Sequence, residues 1–292
     1  MVYNKFGKND FNVSLIGFGA GQIGEASLNE KDTELILNEA FDLGITLFDT
    51  ARAYGLSEER IGKYLKPYRK DIILSTKVGY GVEGIEDWTY DCIVMGVNRA
   101  LNLLQTDYLD IVHLHSCPLN VLQREDILSA LRDVKESGKI RSAAYSGENE
   151  ELMFAVSCGA FDSVQTSMNI FDQRSIRDYT PVAVENGLGI IAKRPLGNCP
   201  WKYEERPFGN YAEDYWLRKN DLGLDYGDNW NEISIRYSAF SSGAHSIIMG
   251  TQNINHLKSN ISYLEKGRLD ESFEDEIKFK YDNVGRDWRG LV

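Results

Sequence analysis

Short apolar runs rich in β-branched residues recur along the chain, at residues 13–17, 47–49 (with Ile45 just before), 72–76, 109–115, 142–145, 163–166, 189–192 and 245–249. Each predicts a strand. Between them the apolar positions change to helical spacing. Residues 31–43 set Leu35, Ile36, Ala40 and Leu43 on one face and stop at Gly44, which suits a left-handed cap. Residues 57–64 open Ser-Glu-Glu-Arg, with Ser57 as the expected N-cap and acids in the first turn. Helical spacing returns at 90–104, 124–137, 148–158, 178–186, 230–241 and 254–265. Strands alternating strictly with helices predict a parallel sheet covered by helices. Eight such units predict a closed (β/α)8 TIM barrel rather than an open sheet. Ahead of it, residues 3–14 read as a β-hairpin with polar turn residues.

Two stretches break the rhythm. Between Gly197 and Trp230 lie 34 residues with eight aromatics, a long loop after strand 7 of the kind that usually carries function. Trp201 and Tyr203 are its expected substrate contacts. After Gly267 comes an acidic helical segment, 271–281, and a tail whose Trp288 is expected to dock on the barrel and help wall the pocket.

Composition narrows the possibilities. The chain has 292 residues, 42% hydrophobic and 26% charged, so disordered and fibrous classes are excluded. A barrel of roughly 250 residues is one domain, and residues 1–292 are expected to form one. The net charge of −12 argues against nucleic acid and anionic lipid as partners. Cys92, Cys117, Cys158 and Cys199 are widely spaced with no C-x-x-C pair, so no zinc or redox motif is expected. Residues 1–10 are polar, and no apolar run approaches the roughly 20 residues that span a bilayer. The expectation is a cytoplasmic protein that acts on a small molecule, without a metal.

In a parallel barrel the C-terminal ends of the strands converge on one rim. The second strand ends FDTARAYG, which brings Asp49 to that rim and Tyr54 just beyond it. The third ends STKVG, with Lys77, and the fourth VHLHSC, with His115. A phenol is a sluggish acid near neutrality, and an adjacent ammonium favours its ionised form. Lys77 can supply that charge, Asp49 can hold Lys77, and His115 can orient a carbonyl oxygen. This set suits carbonyl reduction. None of the four carries a hydride, so a cofactor must. His113, two residues deeper on the same strand face, reads as interior packing.

FDTA-x-x-YG, the downstream S-T-K and the D-I-V-H-L-H segment, at positions 49, 54, 77 and 115, resemble the aldo-keto reductase superfamily over nearly the whole chain. The resemblance implies a nicotinamide-dependent oxidoreductase acting on a carbonyl or sugar substrate, with Asp49, Tyr54, Lys77 and His115 as its catalytic tetrad and the hairpin plugging the barrel bottom. It also implies cofactor contacts. Gly19, Ala20 and Gly21 correspond to the loop beside the nicotinamide ribose. Ser146 and Gln165 correspond to the carboxamide partners, with Gly147 where the family usually has Asn. Lys193 stands where many members stack an aromatic ring, Arg194 is expected to face the pyrophosphate, and Leu196 and Gly197 complete that loop. After the eighth strand Gly250 and His256 replace the Lys and Arg that grip a 2′-phosphate. Thr251, Asn253 and Asn260 remain as polar contacts, beside the N-terminus of the 254–265 helix. NADP(H) is the favoured cofactor and NAD(H) the alternative.

Two other readings compete. Gly19-x-Gly21-x-x-Gly24 fits a dinucleotide fingerprint, but that motif needs a helix to start inside the glycine run, and five residues intervene here. Some barrels of this family bind the cofactor as regulatory subunits without turnover.

Overall fold

The computed structural model describes residues 1–292. Eight parallel strands close into a barrel: β3 (Ile16–Gly19), β4 (Leu47–Asp49), β5 (Ile73–Val78), β6 (Leu109–His115), β7 (Ile140–Ser146), β8 (Ser163–Ser167), β9 (Gly189–Lys193) and β10 (Ser246–Met249), with β10 pairing back onto β3. The antiparallel hairpin of β1 (Tyr3–Lys5) and β2 (Asn12–Ser14) precedes them. Outside run α1 (Glu30–Asp42), α2 (Ser57–Leu65), α3 (Tyr90–Leu103), α4 (Leu119–Leu122), α5 (Glu125–Glu136), α6 (Asn149–Ser157), α7 (Thr180–Glu185), α8 (Glu213–Leu222), α9 (Trp230–Phe240), α10 (Ile254–Glu265) and α11 (Glu271–Val284). No helix is long and apolar enough to cross a membrane. The closed barrel, with α1 starting well after the glycine run, excludes the dinucleotide-fold reading.

The hairpin closes the lower end. Phe6, Phe11 and Val13 pack against Leu47, Ile73, Ile111, Ala144 and Ile191. A Cβ on Gly189 would sit 2.4 Å from the Phe6 ring, so glycine there lets the plug enter. A 48-residue core fills the space between strands and helices. A smaller core of Phe171, Tyr215, Trp230, Tyr237 and Tyr281 lies under the excursion and the tail.

Four local expectations are corrected. The run at 13–17 straddles two elements: residues up to Ser14 belong to the hairpin, and the barrel strand begins at Ile16. Helix α1 starts at Glu30, capped by Asn29, and buries Ile36, Leu37 and Ala40, whereas Leu35 is 54% exposed. Ser57 is no cap: its hydroxyl is buried, donating to the Ala20 carbonyl and accepting from Thr50. The span 178–186 begins as a π-helical turn at Ser175–Tyr179 and becomes α only from Thr180, where a proline fits the first turn.

Candidate active site

The upper mouth holds a cavity of about 270 Å³. Asp49, Tyr54, Lys77 and His115 all line it, although they come from three strands and one loop. Lys77 is the deepest. Its Nζ donates to Asp49 Oδ2 at 2.6 Å and to the Thr50 carbonyl at 2.7 Å, and lies 5.0 Å from the centroid of the Tyr54 ring. Phenol and ammonium therefore share one side of the mouth. Asp49 accepts two further bonds, from Ser75 Oγ at 2.7 Å and Gln165 Nε2 at 2.9 Å.

A buried ion pair holds its charge only if attraction exceeds desolvation. Burial alone would raise the Asp49 pKa, but the charge and hydrogen bond of the Lys77 ammonium and the bond from Ser75 hold it below the usual carboxylate range. Burial would likewise lower Lys77; the Asp49 carboxylate and the facing Tyr54 phenol hold it above the usual lysine range. Each partner keeps the other ionised.

The two histidines differ from this pair. Burial first, then the Lys77 and Lys193 charges, pushes His115 down to about 3, so its imidazole is neutral. Burial and Lys77 likewise bring His113 to about 3, against the pull of Asp49. His113 is interior, as its position suggested, but its role is polar: Nε2 lies 3.1 Å from Ser75 Oγ, the group that donates to Asp49.

Of the positions that the family resemblance assigns to the cofactor, Gly19, Gly21, Ser146, Gln165, Lys193, Arg194 and Gly250 line the same cavity. Ala20 is buried just behind them, its carbonyl bonded to Ser57. Ser146 Oγ donates to Gln165 Oε1 at 3.0 Å. Lys193 Nζ is 3.1 Å from Glu148 Oε1. Arg194 Nη1 donates to the Leu291 carbonyl at 2.6 Å, which aims the guanidinium at the tail. Leu196 packs on the main core, and Gly197, at φ +50°, lies against Phe171; neither reaches the cavity. Thr251 and Asn253 are engaged in the turn before α10: Thr251 Oγ1 accepts from Asn253 N, and Asn253 Oδ1 accepts from Asn255 N to cap the helix. His256 is exposed and Asn260 buried.

The aromatic excursion does not wall the mouth. It contains a helix, α8, and Trp201, Tyr215, Tyr226 and Trp230 turn inward, with Trp201 stacked on Trp230 at 5.2 Å and 6°, while Tyr203, Phe208 and Tyr211 are exposed. Neither Trp201 nor Tyr203 lines the cavity, so their assignment as substrate contacts is corrected. The tail does reach the mouth. Trp288 docks on Tyr281 and beneath Arg218, Asn149 grips Gly290 through both amide atoms, and Val292 lines the cavity.

Three contributors escaped the sequence reading. Glu148, buried, takes Thr166 and Ser167 as well as Lys193. Ser116 and Tyr80 also stand at the site: Tyr80 Oη lies 2.8 Å from His115 Nδ1, with the rings stacked at 5.6 Å. Tyr80 had a signal, since it follows Lys77 by three residues, just beyond the end of that strand.

The chain is similar in sequence and fold to several known proteins. The holo form of aldo-keto reductase AKR11C1 from Bacillus halodurans is 27% identical and superposes with a TM-score of 0.81, covering 96% of each chain. L-galactose dehydrogenase of Arabidopsis thaliana is 26% identical over 93% of this chain and 92% of its own. A protein of Arabidopsis thaliana named as a probable voltage-gated potassium channel subunit beta is 28% identical over 91% of this chain and 92% of its own. The model of the aldo/keto reductase family matches residues 15–282. Matched over most of its length, the chain belongs to the aldo/keto reductase family.

Proposed function

We propose that this chain reduces a small polar aldehyde or ketone, or oxidises the corresponding alcohol or sugar, with Tyr54 as the proton donor and acceptor. One observation carries the reading: a Lys77 ammonium bonded at 2.6 Å to buried Asp49 lies 5.0 Å from the Tyr54 ring, in a cavity shared with neutral His115. Reduction puts negative charge on the substrate oxygen. Tyr54 gives that oxygen its proton, and the ammonium stabilises the phenolate left behind. Asp49 keeps Lys77 charged and aimed. His115 donates its ring N–H to the same oxygen, and the steps reverse for oxidation.

The bound nicotinamide cofactor supplies the hydride. The site fits such a group: Gly19, Gly21 and Gly250 give the cavity a lip without side chains, and Gln165 keeps a second amide N–H beyond the one spent on Asp49. Ser146 and Gln165 would hold the carboxamide. NADP(H) remains the favoured cofactor. With Thr251 and Asn253 engaged in the turn and Lys258 paired to Glu39 at 2.7 Å, the exposed His256 imidazole is the side chain offered to a 2′-phosphate. Discrimination against NAD(H) is therefore expected to be weak.

Substrate class follows from the lining. Apart from Tyr54, the side chains at the mouth are mostly polar, with Ile248 and Val292 as aliphatic surface. Such walls favour a hydroxylated carbonyl compound or sugar over a large flat one, which accords with the resemblance to L-galactose dehydrogenase. The test is to mix protein with NADPH or NADH and a panel of aldehydes, ketones and aldoses, and with NADP or NAD and free sugars, following absorbance at 340 nm. Turnover of hydroxylated substrates is expected. Tight cofactor binding with no turnover across the panel would instead favour the regulatory-subunit reading, which the channel-subunit relative represents.

A further inference from the structure

The loop after β5 is built around one aromatic lock. Gly79 has φ +129°, and a Cβ there would meet the Trp88 ring at 2.1 Å. Trp88 fills that space, donates its backbone N–H to the Gly79 carbonyl at 2.7 Å, and packs its ring 5.8 Å from Tyr80. Arg52 and Asp87 pin Gly81 on the other side, at 2.6 and 2.8 Å. Tyr80 is thus held between two fixed glycines. Its ring lies nearly parallel to His115, and its hydroxyl is 2.8 Å from Nδ1. His115 Nε2 makes no hydrogen bond within the protein, and the residue lines the mouth.

A phenol is a better donor than a neutral imidazole N–H, and an imidazole nitrogen is a better acceptor than a phenol oxygen. The proton of this contact therefore sits on Tyr80, and Nδ1 accepts it. A neutral imidazole with Nδ1 occupied as acceptor must carry its hydrogen on Nε2. We propose that Tyr80 is a positioning residue that locks His115 in the Nε2–H tautomer, so that a neutral donor faces whatever oxygen enters the mouth. The tautomer assignment rests on this contact and on the neutral ring; its catalytic use rests on the reductase reading above.

Tyr80→Phe keeps the ring stack and removes only the hydroxyl. Histidines labelled with ¹⁵N report the tautomer directly through long-range ¹H–¹⁵N correlation in the cofactor-free protein. In the wild type, His115 is expected to show a single neutral form, Nε2–H, unchanged between about pH 5 and pH 8. In Tyr80→Phe both neutral tautomers should appear and protonation should begin at higher pH. If the variant turns over carbonyl substrate, kcat should fall about threefold to tenfold, the worth of one neutral hydrogen bond, with KM for cofactor unmoved. An Nδ1–H tautomer in the wild type, or identical His115 spectra in the two proteins, would overturn the proposal. Failure of the wild type to reduce any carbonyl compound would sink the reductase reading and leave the tautomer result to stand by itself.

Discussion

Two lysines reach the same mouth from strands four places apart, Lys77 at the end of β5 and Lys193 at the end of β9, and each has a buried carboxylate beside it. Lys77 is 2% exposed, makes two contacts of 2.6 and 2.7 Å, and its pKa is raised. Lys193 is half-buried and has a single contact at 3.1 Å; burial lowers its pKa, with Glu148 offsetting only part of that. The difference lies around the ammoniums, since each carboxylate accepts from two neutral donors besides its lysine. Lys77 has a second acceptor in the Thr50 carbonyl, whereas Lys193 has none and feels the charges of Arg194 and Lys77. Burial beside an opposite charge does not by itself make a committed pair; a second acceptor and the neighbouring cations decide.

The same substitution at both lysines tests this ranking. Lys77→Met strands Asp49 in the interior and should cost about 3–5 kcal/mol of stability, read by chemical denaturation, with turnover down by roughly 10²–10⁴. Adding Asp49→Asn should restore much of the stability and none of the turnover. Lys193→Met should cost only about 1–3 kcal/mol, because the lost contact is a single, longer and less buried one, and should lower turnover less than tenfold. Equal effects at the two sites would break the comparison.

A smaller effect sharpens it from beneath. His113 reaches Asp49 through Ser75 and stays neutral in the fold down to about 3, against 6.5 as its ordinary value. Between those values the unfolded chain binds a proton that the fold excludes, so stability falls as pH falls through that window. His113→Gln should flatten the decline by about 1.4 kcal/mol per pH unit, measured as the denaturation midpoint between about pH 6 and pH 4. An unchanged slope would mean that His113 is charged or hydrated in the fold.

Much of this layout was legible in the sequence, because barrel strands carry continuous apolar runs and the rim residues follow them directly. Eight strands and the convergence of Asp49, Tyr54, Lys77 and His115 come from that rule, while the plug was implied by the family resemblance. What stayed hidden depended on contacts between distant segments. The apolar run through Leu15 serves both hairpin and barrel, so periodicity could not divide it. Leu35 shares a helical spacing with Ile36 yet faces solvent, a matter of a rotation that only packing sets. The excursion's aromatics looked like pocket walls, but Trp201, Tyr215, Tyr226 and Trp230 form a core of their own with Phe171, and Phe208 and Tyr211 face solvent. Glu148 had no spacing to mark it, since its partners are fixed by the closed sheet, and Tyr80, though close behind the strand of Lys77, had nothing in the sequence to tie it to His115.

The most direct test removes one oxygen atom. With reduced cofactor bound in excess, a single turnover of a carbonyl substrate should be slowed roughly 10²–10⁴ in Tyr54→Phe relative to the wild type, while cofactor affinity, read by fluorescence titration, stays within about twofold. Hydride transfer in Tyr54→Phe at the wild-type rate would mean that the proton comes from elsewhere and that the Lys77–Asp49 pair serves another purpose.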